Sequence, residues 1–160
     1  MKPSPWNRAA LFFLGLPEAA DDEPLDRMLG LAEATPLCAI SVAGPEAGDA
    51  ISGLWRRGYQ RVEAARRATC PSADERCDVL LVVGCEHAES AAALAANTAA
   101  MLRPGGALVV DASRMVSADA RRTLCRLLDG YGFACAEGAH LGAEIKAERR
   151  PTAPRLRVVD

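Results

Sequence analysis

A short stretch with two glycines could bind a ligand. Gly44 and Gly48 enclose Pro45-Glu46-Ala47, and Asp49 follows directly. Glycine lets the backbone approach a ligand closely, and a helix that starts here would offer unpaired N–H groups and the positive end of its dipole. A glycine at any tight turn between a strand and a helix looks the same, so a purely structural role stays open.

His87 is the candidate for acid or base catalysis, because an imidazole takes up or releases a proton near neutral pH. Cys85 and Glu86 precede it, directly after an apolar run that ends at Gly84. The alternative is a histidine that caps the next helix or faces solvent. A catalytic His87 therefore requires a cleft beside it.

The cysteines offer a further chemistry, the binding of zinc. The chain has six of them, and Cys70, Cys77 and Cys85 together with His87 provide suitable ligand types. Their spacing lacks the closely paired ligands that structural zinc sites usually have. We therefore predict no metal site and interpret the cysteines as buried, reduced thiols.

Apolar periodicity predicts the elements that must position these residues. Continuous apolar runs predict buried strands at 37–43, 78–84 and 107–111, and weaker patterns predict strands at 60–66, 133–137 and 156–159. Helical spacing and end signals predict helices over 22–35, from 49 to Gly58, over 88–102, and from a Ser117 cap to 131. Alternating strands and helices predict an α/β fold with a mainly parallel, doubly wound sheet. Its ligands would bind beyond the carboxyl ends of the strands.

The length and charge of the chain limit what it does. With 160 residues we expect a single domain, with an N-terminal helical segment over 1–35 and the α/β core over 36–160. The net charge is −2 and the basic residues are scattered, which does not favour nucleic-acid binding. The apolar run at 9–16 is too short to span a membrane, and we expect it to pack on the domain of a cytoplasmic protein without membrane contact.

One stretch of the second half carries a resemblance. Asp78 opens a buried strand, His87 follows that strand, and after a helix the residues LRPGG (102–106) lead into LVVD (108–111). This order is similar to the fourth strand, the following helix and the turn into the fifth strand of the class I S-adenosylmethionine-dependent methyltransferases. The resemblance covers roughly residues 25–140. It implies a Rossmann-like, three-layer αβα sandwich.

The resemblance also implies a cofactor, S-adenosylmethionine, and a set of site residues. His87 would approach the methyl acceptor. The residues implied near the cofactor are Gly44, Glu46, Gly48, Asp49, Glu63, Cys85 and Glu86.

The sequence departs from the family at the positions that hold this cofactor. Ser41-Val42-Ala43 stands where the family has a carboxylate late in the first strand. The acid that accepts two hydrogen bonds from the ribose is expected near Arg66 and Arg67, and an arginine has no acceptor. Glu63 lies nearby, and Glu46 and Asp49 are the acids available at the glycine loop.

The connection between Arg67 and Asp78 is too short for the helix and third strand that the family has there. We therefore expect the second strand to become a sheet edge, where arginines discourage unwanted pairing. A missing edge strand also leaves a surface that another chain covers. We expect a partner, either a second copy of the chain or another protein.

Three hypotheses remain. The first is a degenerate methyltransferase-like domain that serves as a non-catalytic binding, regulatory or assembly module. The second is an active S-adenosylmethionine-dependent methyltransferase that acts on a small molecule, since methyl transfer depends mainly on alignment of the reactants. The third is a phosphate- or nucleotide-binding domain that uses the loop from Gly44 to Asp49.

Overall fold

Six strands form one sheet in the computed structural model, which describes residues 24–67, 71–72, 75–117, 119–135 and 143–150. In chain order they are β1 Ile40–Ala43, β2 Val62–Ala64, β3 Cys77–Val82, β4 Leu102–Asp111, β5 Phe133–Cys135 and β6 Glu144–Arg149. The order across the sheet is β2-β1-β3-β4-β6-β5. The pairs from β2 to β4 are parallel, and β6 is antiparallel to both β4 and β5. The predicted mainly parallel sheet is confirmed.

Helices cover both faces of this sheet and make the predicted three layers. The α-helices of the described residues are α1 Pro24–Leu31, α2 Ala47–Arg56, α3 Ala88–Thr98 and α4 Ala120–Gly130, and a 3₁₀ turn, Ala99–Met101, follows α3. Along β3 the side chains alternate, so that Val79 and Leu81 join the core under α1 and α2 while Leu80 and Val82 join the core under α3 and α4. None of these helices is long and apolar enough to cross a membrane.

The second strand lies at the edge of the sheet, as predicted. Within the described residues β2 pairs only with β1. The described part of the connection from Ala65 to Arg76 contains neither an α-helix nor a strand. The shortened connection thus leaves β3 as the other neighbour of β1.

Some predicted boundaries were wrong. The first strand starts at Ile40 and not at Leu37, because a turn closed by the Cys38 N–H on the Thr35 carbonyl leaves Leu37 83% exposed. Trp55, predicted on the buried face of its helix, is 59% exposed. Residues 103–106, predicted as a turn before the strand at 107–111, are part of β4. The register between β4 and β3 shifts there, between Cys77 and Val79 of β3.

Further predictions concern the start of α4 and the two ends of the chain. Ser117 does not occupy the helix cap, because α4 begins at Ala120 after Asp119, although the Ser117 hydroxyl accepts a hydrogen bond from the Asp119 N–H at 3.3 Å. Strand β6 was not predicted. The predicted strand at 156–159 and the N-terminal apolar run lie outside the described residues, and the single-domain organisation stays a prediction.

Candidate functional site

The loops after β1, β3 and β4 meet at the carboxyl ends of these strands, which we call the crevice. Gly44 has a φ of +117°, and a Cβ on it would lie 2.0 Å from the Val83 carbonyl oxygen. The Val83 N–H also donates a 2.9 Å hydrogen bond to the Ala43 carbonyl. Glycine is therefore required at position 44 by the backbone that follows β3, with no ligand needed to explain it.

Glu46 bridges the crevice. A Cβ on Gly84, whose φ is +74°, would lie 2.7 Å from Glu46 Cγ, so the Glu46 side chain runs directly across this glycine. Its carboxylate forms an ion pair with Arg114, in the loop after β4. The Glu46–Arg114 bridge thus ties the loop after β1 to the loop after β4 across the end of β3.

Gly48 and Asp49 lie in the first turn of α2 and are exposed. A Cβ on Gly48 would have no atom within 4 Å, so the described protein itself does not require glycine here. Two carboxylates, those of Glu46 and Asp49, stand at this helix end. Their negative charges interact favourably with the positive end of the helix dipole but repel an anion such as a phosphate.

A cleft of about 380 Å³ opens between α1 and α2 above the crevice, and we call it the α1/α2 cleft. Glu46, Asp49 and Arg114 line it, together with Asp111. Asp111 is 8% exposed, and its Oδ1 accepts a 2.8 Å hydrogen bond from the Ser113 N–H. The carboxylate of Asp111 is therefore used to shape the loop after β4.

A larger cleft of about 710 Å³, the α3/α4 cleft, lies between the start of α3 and the segment that leads into α4. Glu86 and His87 line one side, and Arg114 and Ser117 line the other. His87 occupies the N-cap position of α3 without a side-chain capping hydrogen bond, and it is exposed. His87 is therefore the N-cap residue of α3 only by the position of its backbone. Its imidazole caps no backbone group and is accessible from the cleft.

Cys85 is not part of the lining of this cleft. It is 3% exposed, and burial, helped by the negative charge of Asp111, raises the pKa of its thiol. A thiol held protonated is a poor nucleophile and a poor metal ligand. Cys85 acts here as a small core residue.

Glu63 lies away from the other candidates, in a cleft of about 350 Å³ beside β2 that we call the β2 cleft. The Ser41 hydroxyl, fully buried in β1, donates to Glu63 Oε1 at 3.4 Å. Arg66 and Arg67 are exposed, and Arg66 is 3.5 Å from the Glu75 carboxylate. The structure therefore places Glu46 and Asp49, Glu86 and His87, and Glu63 in three clefts, of which the first two share Arg114 in their lining.

The zinc alternative does not fit the geometry. Cys77 begins β3 and Cys85 lies beyond its end at Val82, and the strand between them alone spans roughly 16 Å at about 3.3 Å per residue. Cys70 lies outside the described residues. Among the residues that are described, no three His, Cys, Asp or Glu side chains cluster closely enough to hold a metal ion.

Two ion pairs with roles in the architecture were not predicted. One is the Glu46–Arg114 bridge. The other joins the fully buried Glu144 of β6 to Arg27 of α1, with the Arg27 Nη2 atom 2.8 Å from Glu144 Oε1. Both pairs join residues far apart in the chain, and only the sheet order brings them together.

Comparison with solved structures identifies the fold. A methyltransferase of Burkholderia thailandensis, bound to 1,6-didemethyltoxoflavin and S-adenosylhomocysteine, matches with a TM-score of 0.55 at 15% identity, over 94% of this chain and 92% of that one. An O-methyltransferase family protein from the same organism matches with a TM-score of 0.50 at 14% identity, over 92% and 70% of the two chains. A sugar N-methyltransferase from a Streptoalloteichus species matches with a TM-score of 0.50 at 11% identity, over 89% and 93%.

The chain thus has the Rossmann-like fold of the class I S-adenosylmethionine-dependent methyltransferases, with an antiparallel strand pair beside the parallel strands. No protein-family model matches the sequence, and the search of curated proteins found no match. At these identities the likeness concerns the fold alone.

Proposed function

We propose that this chain is a methyltransferase-like domain that has no catalytic activity and serves as a protein-binding module. The observation that carries the proposal is the Glu46–Arg114 bridge. The protein's own side chains cross the carboxyl end of β3, the place where ligands bind in open α/β sheets. A ligand that entered the crevice would have to displace an ion pair and the Glu46 side chain that lies on Gly84.

Contacts expected for the nucleoside part of S-adenosylmethionine are missing from the described residues. A ribose needs acceptors for its hydroxyls, and Arg66 and Arg67 supply none. Glu63, the carboxylate of β2 itself, accepts a hydrogen bond from the Ser41 hydroxyl in the β2 cleft. The described residues between β2 and β3 form no strand and helix that could cover an adenine ring.

Calorimetric titration tests this proposal. We expect no heat of binding from S-adenosylmethionine or S-adenosylhomocysteine up to about 1 mM, which excludes binding free energies stronger than about −4 kcal/mol. Removal of the bridge by Arg114→Ala is expected to leave the titration flat, because the sugar and adenine contacts remain absent. Arg122→Ala, which removes a more exposed surface pair with Asp119 away from the crevice, is the control.

Binding in the micromolar range that is lost in Gly48→Trp would overturn the proposal. Gly48→Ala separates loss of a ligand contact from misfolding, because a methyl group at this position meets open space. If Gly48→Ala binds and Gly48→Trp does not, the crevice is a real cofactor site.

One observation favours the second candidate, an active methyltransferase on a small molecule. The α3/α4 cleft has the volume of a small-molecule site, and the exposed His87 stands at its edge without a side-chain capping bond. In this candidate His87 is the general base for the acceptor. Micromolar affinity for S-adenosylmethionine that is unchanged in His87→Ala, together with methyl transfer that is lost in the same variant, would support it.

A further inference from the structure

Strand β2 presents an open backbone edge. Its inner side is held by β1, because the Ile40 N–H donates to the Arg61 carbonyl at 2.8 Å and the Ala65 N–H donates to the Val42 carbonyl at 2.7 Å. Successive residues of an extended strand direct their backbone groups to opposite sides. The N–H and C=O groups of Val62 and Ala64 therefore point away from β1, and no strand of the described residues pairs with them.

The surroundings of this edge are rich in arginine. Arg61, Arg66 and Arg67 are exposed, and Arg76 is half-buried in the β2 cleft. Among these four guanidinium groups stand the carboxylates of Glu63 and Glu75, whereas the nearby Asp78 is paired with Arg103. The edge therefore carries a positive charge, although the whole chain is slightly negative.

The β2 cleft beside the edge adds an unused donor. Its floor is formed by the buried residues Ser41 and Cys77. The Nε atom of Arg76 is buried there and has no hydrogen-bond partner among the described residues. A buried donor without a partner is costly, and an acceptor in the cleft would satisfy it once the Arg76 side chain turned toward the cleft.

We propose that the β2 edge binds an extended, acidic segment of another protein. The segment adds a strand to the sheet by bonding to the backbone of Val62 and Ala64, and its carboxylates face the arginines. A second copy of this chain is disfavoured as the occupant, because two arginine-rich edges would repel each other. This inference rests on the proposed function and names the partner class of that binding module.

A fluorescent ten-residue peptide of alternating glutamate and valine is the probe, used with the full chain in an anisotropy titration. A lysine-valine peptide of equal length is the charge control. We expect saturable binding of the acidic peptide that weakens steeply as salt rises, and no binding of the basic one.

Ala64→Pro tests the strand addition, since proline removes an N–H that points to the open side and is tolerated at sheet edges. It should weaken binding about tenfold, or about 1.4 kcal/mol. Ala64→Thr keeps the N–H and suits a strand, so it should bind like the unchanged chain. Equal affinities for the proline and threonine variants would overturn the strand-addition mode.

The double variant Arg61→Glu/Arg67→Glu tests the charge. We expect it to lose the acidic peptide and to gain the basic one, whereas Arg122→Glu/Arg126→Glu on α4 changes neither. If the chain instead sediments as a dimer that Ala64→Pro dissociates, the occupant is a second copy and the proposal fails. Peptide binding and the cofactor titration are separate measurements. Absence of peptide binding would refute only the strand-addition proposal, and micromolar binding of the cofactor would refute only the proposed function.

Discussion

The two glycines of the loop after β1 should respond in opposite ways to the same substitution. Gly44→Ala places a methyl group 2.0 Å from a backbone oxygen, that of Val83, at a φ of +117° that side chains rarely adopt. Backbone strain costs about 1–3 kcal/mol and overpacking about 1–3 kcal/mol, so we expect a loss of about 3 kcal/mol or more. Gly48→Ala lies inside α2 with open space around it and should gain about 0.5–1 kcal/mol.

Urea unfolding followed by far-ultraviolet circular dichroism measures both free-energy changes without any ligand, and thermal unfolding followed in the same way gives the corresponding Tm values. For a chain of this size, 1 kcal/mol corresponds to about 2–4 °C in Tm, so the two variants should differ by roughly 10 °C. Gly130→Ala is the matched control, since Gly130 ends α4 and a Cβ there also meets open space. It should be neutral or slightly stabilising.

A Gly44→Ala variant as stable as the unchanged chain would refute this reasoning. It would mean that the loop after β1 does not pack on Val83 and that glycine at 44 is kept for another reason, such as contact with a ligand. A loss of stability in Gly48→Ala would likewise show that the start of α2 is crowded.

Two other perturbations test the architecture around the site. Arg27→Met removes a partner from the fully buried Glu144 and should cost about 3–5 kcal/mol, while addition of Glu144→Leu should recover most of that loss, as a double-mutant cycle of unfolding free energies would show. Burial and a hydrogen bond with the Cys125 thiol raise the pKa of Cys135 to about 12. Because the folded state holds this proton more tightly than the unfolded state, stability should fall as the pH rises from about 9 to about 12. The fall should be smaller in Cys135→Ala, and equal pH slopes in the two proteins would contradict this assignment.

The sequence was sufficient to predict the layers of the fold. Each of the parallel strands β1, β3 and β4 contains an apolar run buried on both faces, and such runs are visible without knowledge of their neighbours. The edge position of β2 was also predictable, because it follows from the length of one connection. Strand β6 was missed because its sequence, EIKAER, is dominated by charge. Its buried Glu144 is acceptable only because Arg27 reaches it from α1.

The candidate site was less predictable than the fold. Sequence reasoning placed Glu46, Glu63 and His87 around one cofactor, whereas the structure distributes them over three clefts. From the position of a residue in the sequence one can predict at which end of a strand it lies. The position does not tell which side of the sheet its side chain takes, or whether another side chain occupies the space.

The lack of an enclosed nucleoside site at the crevice and the open edge at β2 both result from the short connection between β2 and β3. Without a strand beyond β2, nothing in the described residues encloses a nucleoside, so a carboxylate at position 66 would have no sugar to bind. At an open edge the same position is better filled by a charged side chain, which discourages pairing with like edges, and the exposed Arg66 supplies one. On the two proposals made above, the loss of a cofactor contact and the gain of a charged docking edge are two consequences of one short connection. Restoring a carboxylate at 66 alone would weaken the edge without creating a cofactor site.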